Sequence, residues 1–171
     1  KLLLANVSDI VFQSTPDAIV EWASPTVKDI FGYDQSEIVG VRISDLMHPD
    51  DLSVLADVKE RTDRGEWAEF EARYRQANGD YRWYFVTIRG IMDDDGTLVG
   101  KIGSARDIHD QKLTEQALAH SEEFLHSALE LLLDPYISLK PIFDDTGKAV
   151  DFTISYANIA ACEHMHTTSE K

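Results

Sequence analysis

Four stretches carry donors and acids from which a reactive site could be built. Cys162-Glu163-His164-Met165-His166 sets a thiol and an imidazole at Cys162 and His166, one helical turn apart on a shared face. Thiolate and imidazole suit zinc, yet two donors fall short of the roughly three or four that a site needs. Ordinary helix positions are the expectation there, and no metal is expected. Asp93-Asp94-Asp95-Gly96 and Asp144-Asp145-Thr146-Gly147 each stand between extended runs, where Asp and Gly satisfy turn geometry. Asp50-Asp51 precedes a helical stretch, where negative charge complements the helix dipole. Acid–base work would need a carboxylate held in a cleft with a displaced pKa. No nucleophile elbow, phosphate loop or metal-hydrolase motif is present. The expectation is therefore a non-enzyme, with no catalytic residues.

The charge balance narrows the partners. Sixteen basic residues against 31 acidic ones give a formal net charge of −15. Such a field repels phosphate backbones, and no Lys/Arg cluster offsets it locally, so nucleic acid is not an expected partner. Unbroken apolar runs such as Leu2–Leu4 and Leu131–Leu133 are too short to span a bilayer. The single cysteine, Cys162, excludes an internal disulfide framework and fits a reducing, cytoplasmic setting. An apolar content of 43% is enough for a buried core.

The elements follow from spacing. Lys1–Ser8 reads as the end of an upstream helix. Asp9–Ser14 and Ala18–Ala23 read as two strands around the turn Thr15-Pro16-Asp17. Ser24-Pro25 opens a helix, the serine accepting from a free helical N–H, and Gly32 stops it. Gln35–Val39 and Ser44–Met47 are short helical pieces, and Leu52–Arg64 is a longer helix ended by Gly65. Trp67–Gln76 alternates, with Ala68, Phe70, Ala72 and Tyr74 on one face. Asn78-Gly79 signals a two-residue hairpin loop into a strand over Tyr81–Met92, followed by a last strand over Leu98–Asp107. Strands flanking a helical insert predict an α+β fold: a five-stranded antiparallel sheet with short helices on one face.

Ile108–Leu133 lacks Gly and Pro. Its pairs Ala117/Leu118, Phe124/Leu125 and Leu131/Leu132 recur every seven residues, the period of a coiled-coil seam. These six residues are the expected contacts of a homodimer; the competing reading is an amphipathic helix packed on its own domain. Pro135–Phe143 and Val150–Tyr156 read as a further hairpin, with a helix starting near Asn158. A hairpin and one helix bury little core, so residues 134–171 are expected to be the opening part of a second domain.

Ser24–Asp51, SPTVKDIFGYDQSEIVGVRISDLMHPDD, resembles the PAS family's pattern of an S-P pair, a G-Y pair, an E-[IL]-x-G turn and H-P-x-D. Asn78–Trp83 resembles that family's hairpin between the third and fourth strands, and Gly103–Lys112 resembles its closing G-x-x-x-D-I-T-x-x-K signature. The resemblance covers about Asn6–Lys112. His109 departs from it, standing where the family usually has threonine, so Asp107 or Asp110 is expected to take over the cap of the exit helix. Tyr156-Ala157-Asn158 aligns with Trp22-Ala23-Ser24, which extends the resemblance to a second, partial PAS unit.

The resemblance implies a PAS domain over 9–110, a signalling linker over 111–133 and a partial second PAS domain over 134–171. It implies a sensory input module of a multidomain regulator, with an effector in cis of the histidine kinase or cyclic-dinucleotide type. The alternative is a ligand-free dimerisation scaffold. The flavin-adduct cysteine motif of light-sensing members is absent, as is the usual haem histidine from the Leu52–Arg64 helix. His48 is read as a structural turn residue. The cofactor is thus unknown: a small apolar ligand or none. Candidate pocket residues are Ile30, Phe31, Ile43, Leu46, Leu55, Phe70, Tyr74, Val86 and Ile88, the competing reading being plain core. Asp107, Ile108, His109 and Asp110 form the expected signal junction.

Overall fold

The computed structural model describes residues 9–165. The expected upstream helix over Lys1–Ser8 and the imidazole of His166 lie outside the described residues. The chain divides into two compact units, one ending at Leu113 and the next beginning at Thr114.

The first unit is built on five antiparallel strands: β1 (Ile10–Ser14), β2 (Val20–Ala23), β3 (Trp67–Arg75), β4 (Tyr81–Met92) and β5 (Leu98–Asp107). They lie in the order β2-β1-β5-β4-β3, so the first and last strands pair in the middle of the sheet. Between β2 and β3 come α1 (Val27–Phe31), α2 (Gln35–Ile38), 3-10 turns at Ile43–Leu46 and Pro49–Val54, and α3 (Leu55–Asp63). The period-two pattern of β3 buries Ala68, Phe70, Ala72 and Tyr74, and β4 adds Tyr84, Val86 and Ile88 on the same face. Val27, Phe31, Ile38, Leu46 and Val58 close over them from the helical side. Gly90 allows α3 to come close to the sheet, because a Cβ there would lie 2.0 Å from the Thr62 carbonyl oxygen.

Five local expectations change. The Leu52–Arg64 helix begins instead as the 3-10 turn Pro49–Val54 and becomes α-helical only at Leu55. Ser44–Met47 is likewise 3-10, over Ile43–Leu46. Ser24 does not cap a helix: its Oγ accepts from the Val11 N–H at 3.0 Å, while Thr26 precedes the first turn of α1. The fourth difference reaches beyond position: Asp51 sits inside a 3-10 turn and spends its carboxylate on Arg73, whose Nη2 donates to Oδ1 at 2.7 Å. The β3–β4 loop is wider than two residues, since the Gln76 N–H donates to Asp80 O at 2.8 Å around Ala77-Asn78-Gly79. Gly79 takes φ 93°, the left-handed position that closes a three-residue loop.

The acidic turns share that geometry. Asp93 N–H donates to Thr97 O and Asp144 N–H to Lys148 O, each at 2.9 Å. The Asp93 Oδ1 accepts from the Asp95 and Thr97 amides, and the Asp144 Oδ1 from the Thr146 and Lys148 amides. These carboxylates are turn-formers, and their acceptor capacity is spent on the backbone.

Helix α4 (His109–Glu130) continues from the first unit into the second, which contains the hairpin β6 (Ile137–Phe143) and β7 (Ala149–Ala157) and the short α5 (Ile159–His164). Asn158 is fully buried and organises this unit. Its Oδ1 accepts from the Tyr136 and Ala161 amides at 2.9 Å each, and its Nδ2 donates to the Leu129 and Asp134 carbonyls at 3.1 Å each. α4 was expected to run to Leu133 but stops at Glu130, where Asn158 captures carbonyls that further helix would have used.

Candidate functional site

An apolar cavity of about 260 Å³ lies between the sheet and the helical side of the first unit. Phe31, Ile43, Leu55, Phe70, Tyr74, Val86 and Ile88 line it, together with Ile10 and Phe12 of β1 and Ala105 of β5. Ile30 and Leu46, also named from sequence, pack into the surrounding core instead. Phe31 meets Tyr84 at a ring-centroid separation of 4.7 Å and Tyr74 at 6.0 Å, forming one aromatic wall. The Tyr84 hydroxyl donates to Ile30 O at 3.2 Å, and Gln76 Nε2 donates to the same carbonyl at 3.1 Å, which fastens the end of α1 to the β3–β4 hairpin. Burial pushes both Tyr74 and Tyr84 above the ordinary tyrosine range, so both stay neutral.

The cavity also has a polar component that the sequence reading missed. Lys101 of β5 reaches it and is only 6% exposed. Arg42, Lys59 and Asp17 border it at more exposed positions. Arg42 Nη1 donates to Asp17 O at 2.9 Å, and Lys59 pairs with Asp63. Among the described residues, two buried side-chain polar atoms have no hydrogen-bond partner: Ser14 Oγ and His109 Nδ1.

From the cavity β5 runs directly to the helix junction. Asp107 Oδ1 accepts from the His109 amide at 2.8 Å, and its Oδ2 accepts from Arg82 Nε at 2.8 Å. Ile108 is buried, its N–H donating to Trp83 O at 3.0 Å. Asp110 meets Arg82 Nη2 at 3.3 Å, and Lys112 pairs with Glu71 at 2.6 Å while its Nζ lies 5.9 Å from the Trp83 ring centre. The four junction residues named from sequence therefore come together, and Arg82, Trp83, Glu71 and Lys112 complete the group. Asp107 does cap the exit helix in place of the family's threonine.

The seam residues Ala117, Leu118, Phe124 and Leu125 lie on α4, with Leu118 60% and Phe124 67% exposed. Leu131 and Leu132 fall beyond its last residue, so the helical repeat holds two of the three expected pairs. His48 accepts from the Asp50 amide through Nδ1 at 3.2 Å and caps the 3-10 turn. Cys162 is buried on α5, and no group of three His, Cys, Asp or Glu side chains able to hold a metal forms among the described residues.

Fold and cavity define a small α+β domain built around an internal apolar chamber, with one strand leading from the chamber to a helix. The chain belongs to the family described as PAS fold, whose model matches residues 20–105. A sensory box histidine kinase/response regulator from Burkholderia thailandensis is similar in structure, with a TM-score of 0.61 and 29% identity over 74% of this chain and 96% of that one. The probable diguanylate cyclase DgcE of Escherichia coli is 33% identical over 87 residues, which is 50% of this chain and 8% of that protein. White collar 1 protein of Neurospora crassa is 26% identical over 106 residues, 62% of this chain and 8% of that protein. The chain thus spans about a tenth or less of the length of most curated relatives it matches, and 11% of another. Among the described residues, no helix is long and apolar enough to cross a membrane.

Proposed function

We propose that residues 9–110 are a non-catalytic sensory input domain of a cytoplasmic multidomain regulator, and that a small molecule in the cavity is the input. The carrying observation is the path of β5, which lines the cavity through Lys101 and Ala105 and ends at Asp107, the cap of α4. A bound molecule that displaces this strand acts on the carboxylate fixing the helix start, and packed interfaces of this kind switch between discrete arrangements. The similarity to a sensor kinase and a probable diguanylate cyclase supports an effector of one of those classes in cis.

Residues 111–133 act as the linker in this reading, and residues 134–171 as the opening part of a second PAS domain. Exposure of Leu118, Phe124 and Leu125 favours a homodimer through α4. Native mass spectrometry of the purified chain tests the input: a small-molecule adduct lost on denaturation is expected. Repeated recovery of the bare chain, with no change in amide exchange at 107–113 on adding candidate ligands, would leave only a dimerisation scaffold.

A further inference from the structure

We propose that the cavity selects a small organic anion, a monocarboxylate with an apolar body, whose carboxylate is held by Lys101 and Ser14. This rests on the ligand-sensing reading above and names the ligand class.

Three observations converge on it. The chain as a whole has nearly twice as many acidic residues as basic ones, 31 against 16. The ionisable side chains around the cavity reverse that balance: Arg42, Lys59 and Lys101 against Asp17 alone. Lys101 is 6% exposed and, among the described residues, its ammonium has no hydrogen-bond or ion-pair partner, while the neighbouring Lys59 is already matched by Asp63. An ammonium partly withdrawn from water without a partner carries a cost, and a carboxylate arriving from the cavity would relieve it.

Ser14 supplies the second donor. It stands directly opposite Lys101 in the β1–β5 register, and cross-strand neighbours share a face of the sheet. Its hydroxyl is buried, at 1% exposed, and without a partner. Ser14 stands next to the cavity lining rather than in it, and an ammonium with a hydroxyl brought beside it would match the two oxygens of a carboxylate, in charge-assisted hydrogen bonds stronger than neutral ones. The rest of the lining is apolar, from Phe31, Phe70, Val86 and Ile88, and suits an aliphatic or aromatic body. A volume of about 260 Å³ lies at the small end of ligand sites, which typically run from roughly 300 Å³ upward. Burial holds Lys101 below the ordinary lysine range, as expected of a cation that lacks its counter-ion.

The test is a head-group series on the whole chain by isothermal titration calorimetry at neutral pH: octanoate, 1-octanol and octylamine. Octanoate is expected to bind about ten-fold more tightly than octanol, the loss for one charge-assisted contact, and octylamine least. Lys101→Met, of similar length, is expected to erase the preference of octanoate over octanol, and Ser14→Ala to reduce it. Should the methionine variant fail to fold, the wild-type ranking still decides. Octanol binding as tightly as octanoate overturns the anion selectivity and leaves the ligand-sensing reading standing. Absence of binding by all three, with Ala105→Leu no more stable than wild type, overturns the selectivity and that reading together, because the domain then has no open chamber to fill.

Discussion

Arg82 and Asp107 are joined across β4 and β5 by an Nε–Oδ2 hydrogen bond of 2.8 Å, and the other oxygen of the same carboxylate receives the first amide of α4. One side chain thus ties the end of the sheet to the start of the helix. Asp107→Asn keeps an acceptor for the amide but loses the charge that binds Arg82. It is expected to cost about 1 kcal/mol, the usual scale for a weakened helix cap, and to accelerate amide exchange over 109–113 before the rest of the domain. Uniform exchange in the variant would show that the helix start does not depend on this carboxylate.

Asp51 predicts how the domain responds to acid. Arg73 holds it below the ordinary carboxylate value of 3.8, chiefly by side-chain hydrogen bonding, with the Arg73 amide and the nearby His48 adding to the effect and burial opposing it. The guanidinium contacts both oxygens, at 3.0 and 2.7 Å, and the Arg73 amide donates at 2.8 Å. A depressed folded-state pKa contributes stability that is present above 3.8 and is lost as pH falls through the folded value. Asp51→Asn should cost about 1.5–3 kcal/mol near neutrality, and should flatten the fall of the urea midpoint below about pH 4. An unchanged acid limb would assign the acid sensitivity to another carboxylate.

Lys101 gives the opposite slope. Burial lowers its pKa from 10.5, with Lys59 adding to the shift, while Asp63 and Asp17 oppose it. These groups come from α3 and the β1–β2 turn. A lysine with a depressed folded pKa binds its proton more readily when unfolded, so its contribution to stability rises with pH through the window that ends at 10.5. Urea midpoints compared from about pH 7 to about pH 10 should rise relative to Lys101→Met, in which this contribution is missing. Parallel profiles would mean that the ammonium is already solvated.

The same residue shows where the sequence stops being legible. Strands β3 and β4 could be read because their apolar and polar residues alternate in phase with burial, as Ala68, Phe70, Ala72 and Tyr74 show. In β5 hydropathy and burial disagree: Val99 and Ile102 are exposed, while Lys101, Gly103 and Ala105 face the core. Pattern reading therefore puts the lysine in water. Only the pairing of β5 with β1 turns it inward. The 3-10 turns were equally hidden, since over four to six residues a period of 3.0 and one of 3.6 place the same side chains on the same face. Asp107 as cap was legible because a carboxylate two residues before the helix start is a local signal.

Asn158 and Ser24 make the same pair of bonds in their own units. Ser24 donates its amide to Val11 O at 2.7 Å and accepts from the Val11 amide through Oγ; Asn158 donates its amide to Tyr136 O at 3.1 Å and accepts from the Tyr136 amide through Oδ1. This is the geometric counterpart of the aligned segments ending at Ser24 and Asn158, and it supports reading both as the step from a strand into the first helix of a PAS domain. Asn158 also binds the Leu129 and Asp134 carbonyls, so the two substitutions differ in cost. Ser24→Ala should cost about 1 kcal/mol and Asn158→Ala about 2 kcal/mol or more, since it removes hydrogen bonds to one buried and several part-buried backbone groups at once. Limited proteolysis after Leu129 should accelerate in the second variant alone. Equal sensitivity of the two variants would remove the special role of Asn158.

The helix seam decides how a change at Asp107 could travel further. Leu118, Phe124 and Leu125 are more than half exposed, an unusual cost for one side of a 22-residue helix unless a second helix covers it. Because Leu131 and Leu132 lie past Glu130, only the pairs at Ala117/Leu118 and Phe124/Leu125 can contribute, and a seam that short gives a weak, concentration-dependent dimer. Phe124→Asp places a charge at the centre of that contact without touching the cavity. Light scattering across a concentration series should show the wild type moving toward a dimer and the variant remaining monomeric at the same concentrations, with the melting temperature of the first unit unchanged. A variant that dimerises as the wild type does would move the interface off α4. The strand-to-helix connection would then have no partner helix to rotate against.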